Sequence, residues 1–249
     1  MQTHTYAIMS EVEGTHWWFA GRRRILESFL AGIVSGAANG NGAQRLRILD
    51  VGCGTGANLE MLDKFGEAEG VDVSEEALAF CRARGLDRVT LGEAERLPYP
   101  DQTFDLVTAL DVVEHLDDDV SGLREMQRVL RPGGRALLFV PAFMWLWGVQ
   151  DDVSQHRRRY TLPRLRRVVR EAGFEIERAT YANLTFFAPI LAGRVLMRLT
   201  GARPASENNL NVPALNGVLG RLLGAERHVL RRANLPFGVS ALCVARRID

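Results

Sequence analysis

The sequence predicts an α/β protein built on a doubly wound, mostly parallel sheet. From residue 47 onward, short apolar runs alternate with stretches of helical pattern, which is the order that βαβ units produce. Two of these runs, FDLVTAL at 104–110 and RALLFV at 135–140, are almost continuously apolar, as expected for strands covered on both faces. We therefore expect one buried sheet with helices on both sides.

Length and composition predict one large folded domain, or one domain with an inserted lobe. The chain has 249 residues, of which 47% are apolar and 24% are charged, near the average of folded globular proteins. The 31 Lys and Arg residues nearly balance the 30 Asp and Glu residues, so no net field recruits nucleic acid or an anionic membrane. Three widely spaced cysteines and the lack of a secretory or membrane-spanning pattern predict a cytoplasmic protein.

The first strands and the helices after them are predicted from apolar runs and helix caps. RILDV at 47–51 and AEGVDV at 68–73 are the strands, and helices follow from about Asn58 and from Ser74. Ser74 is a favourable N-cap residue, and two glutamates follow it in the first turn, where the helix dipole favours negative charge. The chain is expected to turn sharply after Val73.

The second half of the sheet is predicted in the same way. The pattern at 116–130 predicts a helix that begins at the acidic residues 117–119 and ends at Arg-Pro-Gly-Gly. Thr161 is expected to cap a helix that runs to Ala172, and the last two strands are FEIERATY and VSALCVARR. The roughly fifty residues between those strands are too many for a simple connection, so we expect a mostly helical lobe there.

These patterns divide the chain into four segments. Residues 1–44 form an aromatic and basic N-terminal arm with a helix, ending in a Gly- and Asn-rich linker. Residues 45–181 form the core that contains the sheet. Residues 182–236 form a helical insertion, with helices expected at 184–199 and 215–230, and residues 237–249 form the final strand. We interpret the insertion as a substrate lid or an interface.

A glycine-rich turn after the first strand is the strongest functional signal. The segment LDVGCGTG at 49–56 places Gly52, Gly54 and Gly56 between a strand and a helix, where the backbone can approach a ligand closely. Asp72 ends the next strand, and a carboxylate there can accept hydrogen bonds from both hydroxyls of a ribose. The sequence therefore predicts a ligand that contains a nucleoside.

The same glycines also satisfy the fingerprint of proteins that bind a nicotinamide dinucleotide. We use the charge of Asp50 to decide between a dinucleotide and a nucleoside ligand that carries an ammonium group. A nicotinamide dinucleotide would place its pyrophosphate at this turn, and the Asp50 carboxylate would repel it. A ligand with an ammonium group would instead be attracted. The sequence therefore disfavours a dehydrogenase.

Four motifs, in order along the chain, resemble those of the class I S-adenosylmethionine-dependent methyltransferases: LDVGCGTG, GVDVS, GEAERLPYPDQTFDLVTALDVVEHL and LRPGGRALLFVP. The resemblance covers residues 47–140 and the final strands. It implies a Rossmann-like fold with a seven-stranded sheet and S-adenosylmethionine as cofactor. It also implies that Asp72, with Val73 beside it, holds the ribose, that Glu93, Ala94 and Glu95 lie at the adenine, and that Asp111 lies near the methionyl part.

Two histidines are candidates for the base that a hydroxyl nucleophile needs. His115 follows the fourth strand, and His156 lies in a polar loop after the fifth strand; imidazole titrates near neutral pH, which suits this role. The alternatives are a helix cap or pocket wall for His115 and an ordinary basic turn for His156. In the same loop, Arg157, Arg158 and Tyr160 are expected to bind the substrate, with the arginines on a carboxylate or phosphate.

The N-terminal arm combines aromatic residues with arginines, HWWF at 16–19 and RRR at 22–24. Trp18 or Phe19 is expected to lie against the sulfonium of the cofactor, because aromatic faces attract cations, and Arg22 is expected to reach a carboxylate. The alternative is that the aromatic side chains pack the arm onto the sheet. The arm and the HRRRY loop are similar to those of a bacterial small-molecule methyltransferase subgroup.

Metal binding and nucleic-acid methylation are both disfavoured. Asp151, Asp152 and His156 are potential ligands, but no third carboxylate stands at a matching place, so no metal is expected. The segment ALDV at 109–112 lacks the motif of the methyltransferases that act on base amino groups. Pro141 is not followed by the cysteine that pyrimidine methylation would need.

We interpret the protein as a small-molecule O-methyltransferase that acts on a carboxylate or a hydroxyl in secondary-metabolite, lipid or sugar biosynthesis. The alternatives are N- or C-methylation of a small molecule, or a non-catalytic module that binds the cofactor. The apolar segment 184–199 carries Arg194 and Arg198, which favours a transient contact with a membrane, a lipid substrate or a second copy of the chain.

Overall fold

The computed structural model describes residues 3–38, 45–201 and 213–248, and within them seven strands form one sheet. The strands are Leu46–Val51 (β1), Gly66–Asp72 (β2), Val89–Leu91 (β3), Phe104–Leu110 (β4), Leu130–Pro141 (β5), Phe174–Ala182 (β6) and Ser240–Arg247 (β7). The helices are Thr3–Val12 (α1), Trp17–Ala38 (α2), Ala57–Leu62 (α3), Glu75–Ala83 (α4), Asp119–Val129 (α5), Val149–Val153 (α6), Leu162–Glu171 (α7), Phe187–Thr200 (α8), Pro213–Gly224 (α9) and Glu226–Leu230 (α10).

The strand order in the sheet is β3-β2-β1-β4-β5-β7-β6, and β7 runs antiparallel to both of its neighbours. The predicted doubly wound, mostly parallel, seven-stranded sheet is therefore confirmed. The order reverses between β1 and β4, which pair with each other in parallel. In open α/β sheets, ligands bind in the crevice that such a reversal creates at the carboxyl ends of the strands.

The helix starts predicted from capping residues are also confirmed. The Ser74 hydroxyl accepts a hydrogen bond from the Ala77 amide at 3.3 Å, and α4 begins at the next residue. Asp118 and Thr161 cap α5 and α7 in the same way. Each cap satisfies an amide that has no partner within the helix.

The centre of the sheet is covered on both faces. Residues 136–140 of β5 are all fully buried, and successive strand residues point to opposite faces. This explains why the β5 sequence is continuously apolar rather than alternating.

The arm and the insertion contact each other through α2 and α9. A Cβ added at Gly21 would lie 2.7 Å from the Cβ of Leu223, and one added at Gly224 would lie 2.7 Å from the Cδ of Arg24. The two helices can approach this closely because glycine stands at the contact. The predicted linker begins inside α2, which continues to Ala38, and its remainder lies outside the described residues.

This contact predicts opposite effects for one substitution at two sites in α2. Gly21→Ala is expected to lower the free energy of unfolding by about 1–3 kcal/mol, because the added methyl overpacks against Leu223. Gly32→Ala, with nothing within 4 Å of the new Cβ, is expected to raise it by about 0.5–1 kcal/mol. Urea unfolding of both variants measures the two changes, and equal effects would show that the α2–α9 contact is not tight.

The insertion differs in detail from its prediction. The single helix expected at 215–230 is divided into α9 and α10 at Ala225, and the helix expected from residue 184 begins at Phe187. Glu226 fixes the start of the insertion, because its carboxylate accepts hydrogen bonds from the amides of Asn183 at 2.8 Å and Thr185 at 2.5 Å. In the part of the chain that the structure describes, no helix is long and apolar enough to cross a membrane.

Candidate functional site

A cavity of about 630 Å³ opens where the carboxyl ends of β1, β2, β4 and β5 meet the arm and the insertion. The glycine turn and the end of β2 line one part of it, and His115, His156 and helix α8 line another. This is the crevice that the reversal of strand order predicts.

The glycine turn presents an open backbone to this cavity. Gly52 and Gly54 both have left-handed backbones, with φ of 68° and 54°. A Cβ at Gly52 would lie 2.4 Å from Cγ2 of Val112, whereas one at Gly54 would meet nothing within 4 Å. Gly56 lies outside the cavity wall and is needed for packing, because a Cβ there would come within 2.8 Å of Leu86.

Asp72 lies in the cavity wall at the end of β2, as predicted. Its carboxylate accepts hydrogen bonds from the amides of Gly54 at 2.9 Å and Ser74 at 3.0 Å. Burial raises the pKa of this carboxyl, and the two amide bonds oppose the shift. Asp72 therefore ties the glycine turn to β2 and is held in one orientation.

Asp50 lies beneath the glycine turn and not in the cavity wall. The hydroxyl of Thr108 donates to Oδ1 of Asp50 at 2.6 Å, and Oδ2 has no hydrogen-bond partner within the described residues. Burial, together with the negative charge of Asp72, raises the pKa of Asp50 to about 7, against the opposing bond from Thr108. At neutral pH the Asp50 carboxyl is therefore only partly ionised, and it would repel a pyrophosphate less than the fully ionised carboxylate expected from the sequence.

The buried Asp50 predicts a pH-dependent stability. Because its pKa is raised in the folded state, its stabilising contribution is present below about pH 4 and is lost as the pH rises to about 7. Asp50→Asn keeps the oxygen that accepts from Thr108 but cannot ionise. Between pH 5 and pH 8, the unfolding free energy of the wild type should therefore fall relative to this variant by a few kcal/mol, on the order set by linkage. A difference between the two proteins that does not change with pH would contradict this.

The residues predicted at the adenine are only partly brought to the cavity. Ala94 and Glu95 line it, next to Gly92, and so does Val73, which was predicted beside Asp72. Glu93 does not line it and instead forms a β-bridge with Arg96.

The N-terminal arm closes over the glycine turn. Glu13, which follows α1 and is buried, accepts hydrogen bonds from the hydroxyl of Thr55 and, at 2.7 Å, from Arg84, which follows α4. Arg22 of α2 forms an ion pair with Asp111, and both residues line the cavity. Arg22 and Asp111, predicted separately at the cofactor, thus lie together.

The aromatic residues of the arm have two kinds of neighbour. Trp18 and Phe19 line the cavity, as does Trp17. The Trp17 ring also packs against Phe186 at the start of the insertion, with centroids 4.5 Å apart. The alternative of aromatic packing is therefore observed for Trp17, which packs against the hydrophobic core and against the insertion.

His115 and His156 come together at the cavity wall, with ring centroids 4.8 Å apart. Nδ1 of His156 lies 2.8 Å from Oδ1 of Asp151, and Nε2 lies 3.9 Å from Oε1 of Glu114. Burial, and then the neighbouring His156, lower the pKa of His115 to about 4. His115 is therefore neutral at physiological pH.

Asp151 is the buried anion around which this wall is organised. Its carboxylate receives two hydrogen bonds from Arg159, at 2.7 and 2.8 Å, and lies 3.3 Å from Arg194 of α8. Burial alone would raise the pKa of Asp151, but the bonds from His156 and Arg159 hold it below its usual range. Asp151 is therefore ionised and connects the His156 loop to the insertion.

The three residues predicted to bind substrate are not brought to the cavity. Arg157 donates to the carbonyl of His115, and Arg158 donates to the carbonyls of residues 116 and 117. Tyr160 is fully buried, and its hydroxyl lies 2.8 Å from Asp119. These side chains fasten the loop to the start of α5, which places their neighbour Arg159 towards the cavity.

Several residues of the site were not predicted. Glu13, Arg159 and Arg194 act through contacts with residues that are 8–71 positions away in the sequence. Glu114 had a usable signal, because it precedes His115 directly after a strand that ends at the crevice. For Arg159 the sequence offers no such signal, because nothing in it distinguishes Arg159 from the neighbouring Arg157 and Arg158.

Two features of the cavity fit the cofactor that the motifs imply. The space beside Gly54 is open for a ligand, next to the fixed Asp72 carboxylate. Trp18 and Phe19 line the same cavity, and aromatic faces attract a cation such as a sulfonium. Asp72, with Val73 beside it, would hold the ribose, and Ala94 and Glu95 would lie at the adenine.

Comparison with known proteins identifies a methyltransferase domain in part of the chain. A family profile described as a methyltransferase domain matches residues 49–138. Ajmaline N-methyltransferase of Rauvolfia serpentina is 32% identical over 154 residues, which cover 58% of this chain and 50% of that protein. The 27-O-demethylrifamycin SV methyltransferase of Amycolatopsis mediterranei is 33% identical over 153 residues, which cover 53% of this chain and 55% of that protein.

The chain thus spans about half the length of these curated relatives. Among solved structures, the YcgJ protein of Bacillus subtilis shares the fold, with a TM-score of 0.55 and 19% identity over 88% of this chain and 99% of that one. Residues 49–138 therefore carry a methyltransferase domain, and the curated relatives that match this chain include a probable S-adenosylmethionine-dependent methyltransferase of Mycolicibacterium smegmatis.

Proposed function

We propose that the protein methylates a hydroxyl oxygen of a small, largely apolar molecule. The observation that carries this proposal is the pairing of His156 with the ionised Asp151 at the cavity wall. A carboxylate can only accept, so it holds the proton of His156 on Nδ1 and leaves Nε2 with a lone pair. An imidazole held in this way can take a proton from a hydroxyl.

The two ends of the cavity have different roles, one for the cofactor and one for the acceptor. Asp72 and the glycine turn hold S-adenosylmethionine, which supplies an electrophilic methyl group when bound. His115 and His156, at the other part of the wall, activate the acceptor oxygen. His156 is the better proton acceptor of the two, because the lowered pKa of His115 makes its imidazole a weak base.

The arginines favour a hydroxyl over a carboxylate acceptor. Among the described residues, four arginines line the cavity, and each already contacts a protein oxygen: Arg22 at Asp111, Arg23 at the Glu13 carbonyl, Arg159 at Asp151, and Arg194 at the Leu146 carbonyl. A carboxylate acceptor would have to compete with these protein partners. A hydroxyl acceptor would need no arginine.

The apolar side chains near the histidines support an acceptor with a large apolar part. Phe186, Ile190 and Met197 of the insertion line the cavity, together with Trp17. On the outside of α8, Leu196 and Leu199 are 61% and 80% exposed, which supports the prediction of a lipid-like substrate, a membrane contact or a second copy of the chain.

The cytoplasmic location stays a prediction, which is based on the three cysteines that form no disulfide.

A methyl-transfer assay with matched acceptors tests this proposal. Tag-free protein is incubated with S-adenosylmethionine and with apolar polycyclic compounds that differ only in carrying a hydroxyl, a carboxylate or an amine. Mass spectrometry then identifies the methylated atom. We expect the methyl group on the hydroxyl, and transfer confined to the amine, the carboxylate or a carbon atom would overturn the proposal.

A further inference from the structure

We propose that Glu114, His115 and His156 form a binding site for a first-row transition-metal ion of the Zn²⁺ type. Each of these residues offers one ligand atom, and the three atoms all lie within 4.8 Å of one another. The three residues come from two loops that follow β4 and β5. Two nitrogens and one oxygen are a common set of protein ligands at catalytic zinc sites, which keep the fourth position open.

The cluster is close to the size that such an ion needs. Nε2 of His156 is 3.9 Å from Oε1 of Glu114. Metal–ligand bonds of about 2.0–2.2 Å place ligand atoms roughly 3.5 Å apart in a tetrahedron. Small side-chain rotations, closing the cluster by about 1 Å, would therefore be enough.

Glu114 provides an independent reason to expect a ligand. Its side chain is fully buried, yet neither carboxylate oxygen has a hydrogen-bond partner within the described residues. A buried, unsatisfied carboxylate is costly. A cation bound to Glu114 would compensate its charge and occupy a lone pair that no described group occupies.

His156 also has the outer contact that metal ligands show. Its Nδ1 lies 2.8 Å from Oδ1 of Asp151, so its Nε2 is on the side of Glu114. Such a contact fixes the tautomer and orientation of a ligating imidazole.

The ligand types favour Zn²⁺ over Mg²⁺ or Ca²⁺. The two alkaline-earth ions prefer shells made of oxygen, whereas imidazole suits Zn²⁺ and its neighbours in the first row. The sequence predicted no metal, because it combined His156 with Asp151 and Asp152 instead of Glu114. In the structure, the Asp151 carboxylate accepts two hydrogen bonds from Arg159, so it would support the ligand His156 and would not bind the ion itself.

The location indicates what the ion would do, and this step rests on the hydroxyl acceptor of the proposed function. His115 and His156 line the cavity, so an open fourth position would face the acceptor. An acceptor hydroxyl bound there would lose its proton more readily, as water does on Zn²⁺, and the proton would pass to solvent water in the open cavity. In the metal-bound protein, His156 would be a ligand rather than the base, and the ion would activate the acceptor oxygen.

Metal titration of the tag-free protein tests the site without the cofactor or an acceptor. Protein stripped with EDTA is titrated with ZnCl₂ by calorimetry and with CoCl₂ by visible absorption, which reports tetrahedral coordination. Glu114→Gln and His156→Asn are compared with Glu171→Gln and His228→Asn, whose side chains are exposed. Thermal unfolding and S-adenosylmethionine binding show that each variant is folded.

We expect the wild type and the two exposed-site variants to bind one ion per chain. The Glu114 and His156 variants should lose more than the roughly 10–100-fold in affinity that loss of an outer partner costs. Absence of Zn²⁺ binding to the wild type, or equal binding to all four variants, would overturn the metal site and leave the proposed function standing. Metal binding without methylation of any hydroxyl would support the site and count against the proposed function.

Discussion

His156→Asn is expected to lower turnover by about 10²–10⁴-fold, the usual contribution of a positioned acid–base group. Asparagine retains a hydrogen-bonding group near Asp151 but has no nitrogen that can take a proton or bind a metal at the position of Nε2. Affinity for S-adenosylmethionine should stay within about twofold, because His156 acts on the acceptor. Steady-state kinetics with a hydroxyl acceptor and calorimetry with the cofactor measure the two effects separately.

His228→Asn is the matched control, since that side chain is exposed on α10, outside the cavity wall. It should leave both turnover and cofactor affinity unchanged. If His156→Asn weakened cofactor binding as strongly as turnover, His156 would be part of the cofactor site. That result would remove the observation on which the proposed hydroxyl chemistry depends.

Asp72→Ala is expected to weaken binding of S-adenosylmethionine at least tenfold, because each lost hydrogen bond to a charged group costs about 1.5–3 kcal/mol. The variant loses the acceptor proposed for the ribose hydroxyls. It also loses the bonds that hold the amides of Gly54 and Ser74, so the glycine turn is less well ordered. Calorimetric titration with the cofactor measures the change.

Asp72→Asn and Asp87→Asn complete this experiment. The Asp72→Asn variant keeps a neutral acceptor, so its loss of affinity should be intermediate, whereas Asp87 is exposed and its variant should bind like the wild type. Unchanged affinity in Asp72→Ala, with an unchanged unfolding temperature, would place the ribose elsewhere. That outcome would also contradict the motif that the second strand carries.

Local sequence features predicted the sheet and its helix starts because both depend on neighbours in the chain. The run at 104–110 matches β4, and the capping residues Ser74 and Thr161 stand where α4 and α7 begin. Helix ends in the insertion were predicted less well. Its apolar pattern is compatible with one helix or two, and the break at Ala225 depends on packing against α2.

The positions of the glycine turn and of Asp72 could also be predicted from the sequence. Their positions follow directly from where β1 and β2 end, and strand ends in a parallel sheet meet at one edge. The sequence placed Asp50 at the glycine turn, but it did not predict that the Asp50 carboxyl is buried. Its charge depends on desolvation by the surrounding core, which the sequence does not show.

The roles of the arginines were decided by tertiary contacts. Arg157, Arg158 and Arg159 are adjacent and chemically identical, yet only Arg159 reaches Asp151 and the cavity. Which one does so depends on the direction in which the loop leaves β5 and on the buried Tyr160 that anchors it. Sequence spacing carries no information about that direction.

The sequence by itself determined the methyltransferase domain, the sheet and the positions of the glycine turn and Asp72, because those features consist of short motifs on consecutive elements. The tertiary structure decided the part of the cavity that we propose for the acceptor. There, Glu114 and His115 from the loop after β4 meet His156 and Asp151 from the loop after β5, with the arm and α8 around them. These groups act through charges and contacts between distant segments, and only the folded chain brings those segments within a few ångströms of one another.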